Sequence, residues 1–322
     1  MLYLLYLFFS VSLLLIYFKI AAHFNIVDKP NHRSSHQQLT ILGGGIIFPL
    51  VITLHTLVNG FIFPYFTAGL ILISVISFYD DIRPLSFAIR LFGHLIAVSL
   101  IFLETDLIYY SIWLIIIAYI VVIGSLNAYN FMDGINGLTG AYSLVTIVSL
   151  FYINEYNVKF VSTDWLVITA ISLIAFNIFN FRALAKCFAG DVGSVSMAFI
   201  IIFFILTLLI ISNDFKYIGL LLIYGLDSVT TIIFRLIRHE NIFLAHRSHF
   251  YQYLVNCKSW PHLAVALLYA FLQIMVNILI FYQSFEPIGL ILFLLSAGLI
   301  VVAIRVAIEG KTYLLKGRVV DI

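Results

Sequence analysis

Apolar runs close to helix-spanning length follow one another along the whole chain, separated by short joints that carry most of the polar residues. They fall near residues 1–22, 44–60, 65–79, 87–103, 110–126, 138–153, 165–180, 192–211, 216–234, 262–282 and 287–307. The pattern predicts eleven transmembrane helices, with ten as the alternative, in an all-α polytopic integral membrane protein. Residues 1–322 are expected to form a single membrane-embedded domain. The first run has neither a charged start nor a cleavage pattern, so it reads as a span rather than a secretory signal.

Composition narrows the class further. Hydrophobic residues make up 63% of the 322 and charged residues 10%, whereas a soluble chain carries about 25% charge. A soluble fold of this size has too little interior to hide that much apolar area, and a disordered chain would be far more polar. A net charge of +2 gives no footing for a nucleic-acid partner, and none is expected. Cys187 and Cys257 are too few for a disulfide framework and lack metal-ligand spacing.

Charge is distributed unevenly among the joints. With eleven spans, 15 of the 17 Lys and Arg residues fall on one side, and only Lys159 and Lys216 on the other. The positive-inside rule then places the amino terminus in the periplasm, the carboxyl terminus in the cytoplasm, and the chemistry on the cytoplasmic face.

Five inner joints hold the unusual residues. The first contains Gly43-Gly44-Gly45, which suits either close helix packing or amides offered to an anion. The second is Asp80-Asp81 followed by Arg83; two adjacent carboxylates are either a solvated pair or a metal or general-base site. In the third, Asn127, Asn130 and Asp133 recur at threes and would share one face of a helix. The fourth places Asp191 between Gly190 and Gly193 at a helix start, as a cap or as a ligand for a divalent ion. In the fifth, His246 and His249 are spaced to share a helical face and join Arg235, Arg238 and Arg247 in an anion site; a membrane-surface amphipathic segment is the alternative. Asp227, inside the ninth span, is expected to pair with a basic group or to line the site. Carboxylates, glycine-opened helix starts and an Arg/His cluster among apolar helices fit metal-assisted phosphoryl transfer to a lipid. A secondary transporter of an anionic or phosphorylated solute is the rival; it predicts inverted repeats and polar residues at midplane, where only Asp227 is expected.

The ordered motifs PNHRSSH with GGG (30–45), YDD (79–81), NAYNFMDGINGL (127–138), AGDVGS (189–194) and HRSH (246–249) resemble the polyprenyl-phosphate N-acetylhexosamine-1-phosphate transferases, of the glycosyltransferase family 4 type. The resemblance spans nearly the whole chain. It implies a multi-helix fold, often dimeric, with a cytoplasmic cleft in a bacterial inner membrane. It further implies Mg²⁺, for which Mn²⁺ can substitute, a UDP-N-acetylhexosamine donor, an undecaprenyl phosphate acceptor and release of UMP. By the same resemblance, Asp80 and Asp81 are the carboxylate pair near the acceptor phosphate, with Asp80 the favoured base. Asp191 is the principal Mg²⁺ ligand and Asn130 a second, while His246, Arg247 and His249 form the pyrophosphate or sugar-side group. Asn31, Arg33, Gly44, Asn127, Asn130, Asp133, Asn136, Arg83 and Arg90 are implied substrate contacts. Asn136, and HRSH in place of a triple-histidine run, depart from the muramoyl-pentapeptide branch. They point to the enzymes that start O-antigen, capsule or related surface glycans, with N-acetylglucosamine or a 6-deoxy relative such as N-acetylfucosamine or N-acetylquinovosamine as the sugar.

Overall fold

The computed structural model describes residues 2–28, 39–242, 244 and 246–317, and within them helices track the apolar runs. In chain order they are α1 (Leu2–His23), α2 (Ile47–Val58), α3 (Pro64–Ile82), α4 (Phe87–Glu104), α5 (Ile112–Phe131), α6 (Leu138–Tyr156) and α7 (Thr163–Asn180). Then come α8 (Gly190–Ser212), α9 (Leu222–Ile237), α10 (Phe250–Asn256), α11 (His262–Tyr282), α12 (Pro287–Glu309) and α13 (Lys311–Lys316). Two two-residue strands, β1 (Val27–Asp28) and β2 (Thr40–Ile41), pair antiparallel where the first joint begins and ends.

Among the described residues, nine helices are long and apolar enough to cross a membrane, one of them running as a 3₁₀ turn at Phe215–Leu221 into α9. The other two predicted segments are helical but outside that class. Gly44–Val58 is short. Leu138–Tyr156 is long but carries Thr139, Ser143, Thr146 and Ser149, all buried. These side chains face protein rather than lipid: Ser143 shares a hydrogen bond with Tyr129 at 2.8 Å, and Asn277 donates to Ser149 at 2.7 Å. The ends expected outside meet one another, since the Tyr3 hydroxyl donates to Asp164 and the Phe66 amide to Glu104.

At the centre of the bundle stands α8. In its most apolar stretch 72% of the residues are buried, against none in the matching stretch of α12. A helix apolar all round suits that position, since every face has a neighbour. Phe66 of α3 stacks on Phe203 of α8 with ring centroids 4.1 Å apart. The Ser74 and Ser196 hydroxyls join the same two helices at 2.8 Å.

The glycine triplet proves to be a packing device. The Gly44 amide donates to Phe188 O at 2.8 Å and the Gly45 amide to Ala189 O at 3.0 Å, so neither is offered to an anion. Gly44 is buried, which corrects its expected role as a substrate contact. A Cβ on Gly193 would stand 2.6 Å from the Gly45 Cα, so both positions need hydrogen as the side chain.

Overpacking against backbone that cannot yield costs about 1–3 kcal/mol. Gly193→Ala should therefore lower the thermal unfolding midpoint of the detergent-purified protein clearly. Gly124→Ala, where a Cβ meets nothing within 4 Å, should not. Equal midpoints for the two variants would overturn the packing role.

Candidate active site

The site begins with a helix start that lacks partners for its amides. Gly190 opens α8 at φ +72, and a Cβ there would stand 2.6 Å from an Asp81 carboxylate oxygen. Glycine supplies both the left-handed turn and the room for that approach. Asp81, in the last turn of α3, accepts the amides of Asp191 at 2.8 Å and Val192 at 3.1 Å. Its carboxyl group sits at the positive end of the α8 dipole. Asp81 is thus a cap supplied across the bundle, with its two oxygens engaged, rather than a second open carboxylate beside Asp80.

The strap brings Asp191 to Asp80. Their side chains interact directly, and Asn130 is the other side-chain neighbour of the Asp191 carboxyl. Asp80 itself accepts the Leu85 amide at 2.5 Å and Arg90 Nη1 at 3.2 Å. Asn130 is held from behind by Ser194, whose hydroxyl donates to its Oδ1 at 2.8 Å. Asn127 sits one turn earlier on α5 and donates to Ile123 O at 2.8 Å. The expected shared helical face therefore forms for the two asparagines, while Asp133 lies beyond the end of α5. Burial pushes the Asp133 carboxyl up to about 6, with the Thr139 side chain acting against the shift.

Asp80, Asp191, Asn127, Asn130, Arg90 and His94 line one cleft of about 210 Å³. Its remaining wall is largely apolar, with Ile76, Phe87, Leu91, Phe131, Val195 and Ile232. A polar end beside an apolar wall can seat a charged headgroup and the start of its hydrocarbon chain. His94 and Phe131 were not singled out from the sequence. His94 stands one turn after Arg90 on α4, a spacing that could have revealed it.

Other expected residues are placed elsewhere. Arg83 is exposed at the C-cap of α3 and does not line the cleft. Asn136 is buried, and its amide donates to the Arg182 and Ala183 carbonyls at 3.1 Å each. Its side chain therefore ties two inner joints together instead of facing a nucleotide. Asn180, also missed, completes that seam by accepting the Gly137 amide at 2.8 Å and donating to Cys187 O at 2.9 Å. Asn31 and Arg33 lie outside the described residues.

The histidines do not share a helical face. Residues 246–248 are irregular and His249 is the N-cap of α10. Their rings stack instead, with centroids 5.0 Å apart and planes at 27°. Phe131 packs against both, at 5.8 and 6.1 Å, and links this segment to the cleft wall. Burial, then His249 and Arg235, push the His246 ring down to about 3. The His246 ring is therefore neutral at pH 7. Arg247 lines a second pocket with Arg238, Glu240, Ser248 and Tyr313. The Arg238 hydrogen bond, followed by that of Arg235, holds the Glu240 carboxyl below its usual range against the opposing effect of burial.

Asp227 is buried and pairs with a basic group, as expected of a carboxylate inside a span. It accepts the Phe250 amide at 2.9 Å, the Tyr251 amide at 3.2 Å and the Tyr269 hydroxyl at 2.5 Å, and His249 Nδ1 lies 3.3 Å away. It holds the histidine segment from below and does not line the cleft. Among the described residues, no cluster of three or more His, Cys, Asp or Glu side chains forms a ready metal cage.

Residues 63–209, which carry the aspartate and asparagine motifs but not the histidines, match Glycosyl transferase family 4. An undecaprenyl-phosphate alpha-N-acetylglucosaminyl 1-phosphate transferase of Yersinia pestis is 27% identical over 62% of this chain and 60% of its own length. The protein of that name in Escherichia coli K12 is also 27% identical, over 86% of this chain and 83% of its own. A phospho-N-acetylmuramoyl-pentapeptide-transferase of Thermotoga petrophila is 31% identical, over 48% of this chain and 56% of its own length. The matched stretch thus spans less than two thirds of the Yersinia and Thermotoga relatives. The family match and these relatives lie in the direction the motifs indicate, with wider coverage for relatives named for N-acetylglucosamine than for the Thermotoga pentapeptide enzyme.

Proposed function

We propose that this chain, as a single membrane domain, transfers an N-acetylhexosamine-1-phosphate from a UDP-sugar to undecaprenyl phosphate at the cytoplasmic face of a bacterial inner membrane. The observation that carries the reading is the cleft in which Asp80 meets Asp191, flanked by Arg90, with an apolar wall alongside. Such a cleft suits a lipid phosphate better than a free anion, because the hydrocarbon next to the phosphate also finds a surface.

The carboxylates of Asp191 and Asp80 form an all-oxygen pair, which fits Mg²⁺ bound through one or two carboxylates plus water and substrate oxygens. Asn130, whose Oδ1 accepts the Ser194 hydroxyl, would have to turn that oxygen to join them. Bound there, the ion would offset charge on the diphosphate. The chain's own residues do the rest. Arg90 binds the acceptor phosphate, Asp80 orients it or takes its remaining proton, and Asp81 fixes both helices that present the pair. An oxygen of the lipid phosphate bonds to the β-phosphorus of the donor. The bond from that phosphorus to the bridging oxygen breaks, and UMP leaves with the electron pair. Direct displacement needs no separate nucleophile from the protein. By the motif resemblance, His246, Arg247 and His249 serve the sugar and diphosphate side of the donor, and Asp133 its nucleotide side. Initiation of a surface glycan, N-acetylglucosamine or a 6-deoxy relative as the sugar, and a homodimer rest on the motif resemblance.

Purified protein should yield lipid-linked sugar phosphate and UMP from at least one donor in a panel of UDP-N-acetylhexosamines. Formation should require both undecaprenyl phosphate and Mg²⁺, with product mass identifying the sugar. A panel without product would sink the reading. Loss of a metal or oxyanion ligand costs about a hundredfold or more in turnover, so Asp191→Asn at near wild-type rate would remove its metal role. Asp80→Asn should lose turnover with its melting point kept, whereas Asp81→Leu should lose both. The reverse assignment of the two stabilities would contradict the strap.

A further inference from the structure

Of the 23 residues of α12, only Arg305 and Glu309 are buried. The last long helix therefore leans on the bundle along one half-buried face, and its only fully buried side chains are a charged pair at the end nearest the histidine segment. Burying an ion pair contributes little net stability, since desolvation offsets most of the attraction. A helix that needed only to adhere would use the leucines and isoleucines that α12 already carries. The observation calls for a positional account.

The contacts supply one. Arg305 Nη1 donates to Thr230 and Thr231 Oγ1 at 2.9 and 2.7 Å, and Nη2 donates to the Ser248 carbonyl at 2.9 Å. Nε bonds Glu309 at 2.5 Å, which sets the plane of the guanidinium. Phe234 and Phe250 flank it with centroids 5.4 and 5.9 Å from Cζ. Asp227 lies 3.9 Å away. The histidine segment is consequently held at two consecutive residues by two helices: Arg305 grips the Ser248 carbonyl, and Asp227 grips His249 and the amides that follow.

We infer that Arg305 is a positioning residue for transfer, and that α12 serves to deliver it. This rests on the proposed transferase reading, in which His246, Arg247 and His249 meet the donor. The guanidinium is the one side chain shaped for the task, because four acceptors, the Thr230 and Thr231 hydroxyls, the Ser248 carbonyl and Glu309, must be met from one rigid plane. Lysine offers a point charge and cannot bridge them together. Without the fork the Ser248 carbonyl keeps only the long bond from the Thr231 hydroxyl, at 3.5 Å, and the stacked histidines lose their fixed approach to Phe131.

The test uses full-length protein in lipid nanodiscs, with Arg305→Met and Arg305→Lys beside wild type. Arg305→Met should lower kcat about tenfold or more while the donor KM moves less than about threefold, the signature of lost alignment rather than lost ground-state binding. Arg305→Lys should fall between. Two readouts do not depend on turnover. Amide exchange across 246–256 should accelerate about tenfold in Arg305→Met while α3 and α8 keep wild-type protection. Diethyl pyrocarbonate should label His249, which is 2% exposed in the native protein, only in the variant. Unchanged kcat, or exchange rising equally in every helix, would overturn the positioning role. If wild type transfers no sugar from any donor, the transferase reading fails, and wild-type exchange and labelling in Arg305→Met would then overturn the grip on the histidine segment as well.

Discussion

The two hydrogen bonds from the start of α8 to Asp81 are the contact on which the cleft depends. Buried amides at a helix start must find acceptors, and in a bundle largely sealed from water few are available. A carboxylate on a neighbouring helix answers that need and adds a favourable interaction with the helix dipole. Because Asp80 precedes Asp81 in the same turn and Asp191 belongs to the capped turn, one structural strap sets two carboxylates face to face. Their mutual repulsion is relieved by a cation or by a proton shared between them.

The same device recurs. Asp227 of α9 accepts two consecutive amides at the start of α10, and Glu104 of α4 accepts the Phe66 amide at the start of α3. In each case a carboxylate in one helix closes the open end of another. Such contacts are directional, whereas contacts between apolar spans in lipid are not strongly so, and they can set helix register where packing alone would allow sliding. Gly45 against Gly193 adds the steric counterpart, a close approach that admits no side chain.

Much of this was legible beforehand. Long apolar runs in α1, α5, α8, α11 and α12 could form nothing but helices in a membrane, since no other local structure satisfies its own backbone there. Asp80, Asp191, Asn127, Asn130 and Arg90 were recognisable as residues too polar for their surroundings, and they do share a cleft. What periodicity could not reveal was how such residues divide their work. Asp80 and Asp81 are adjacent and chemically identical, yet one lines a cleft and the other caps a helix. His246 and His249 have helical spacing but meet by stacking in an irregular turn, because the helix begins only after His249. Asn136 read as a ligand and is a seam between joints.

The sequence by itself determined that the chain is a helical membrane protein, where most of its long helices lie, and which residues are too polar for their surroundings. Those follow from composition and spacing, because lipid penalises every polar group that lacks a reason to be there. Only the tertiary structure decided which carboxylates face the cleft, which glycines are contact points, and that Arg305 at the far end of the chain reaches the histidine segment. Those outcomes depend on which helix end lies beside which. Hydrogen bonds between residues distant in the chain fix that choice, and no local pattern records it.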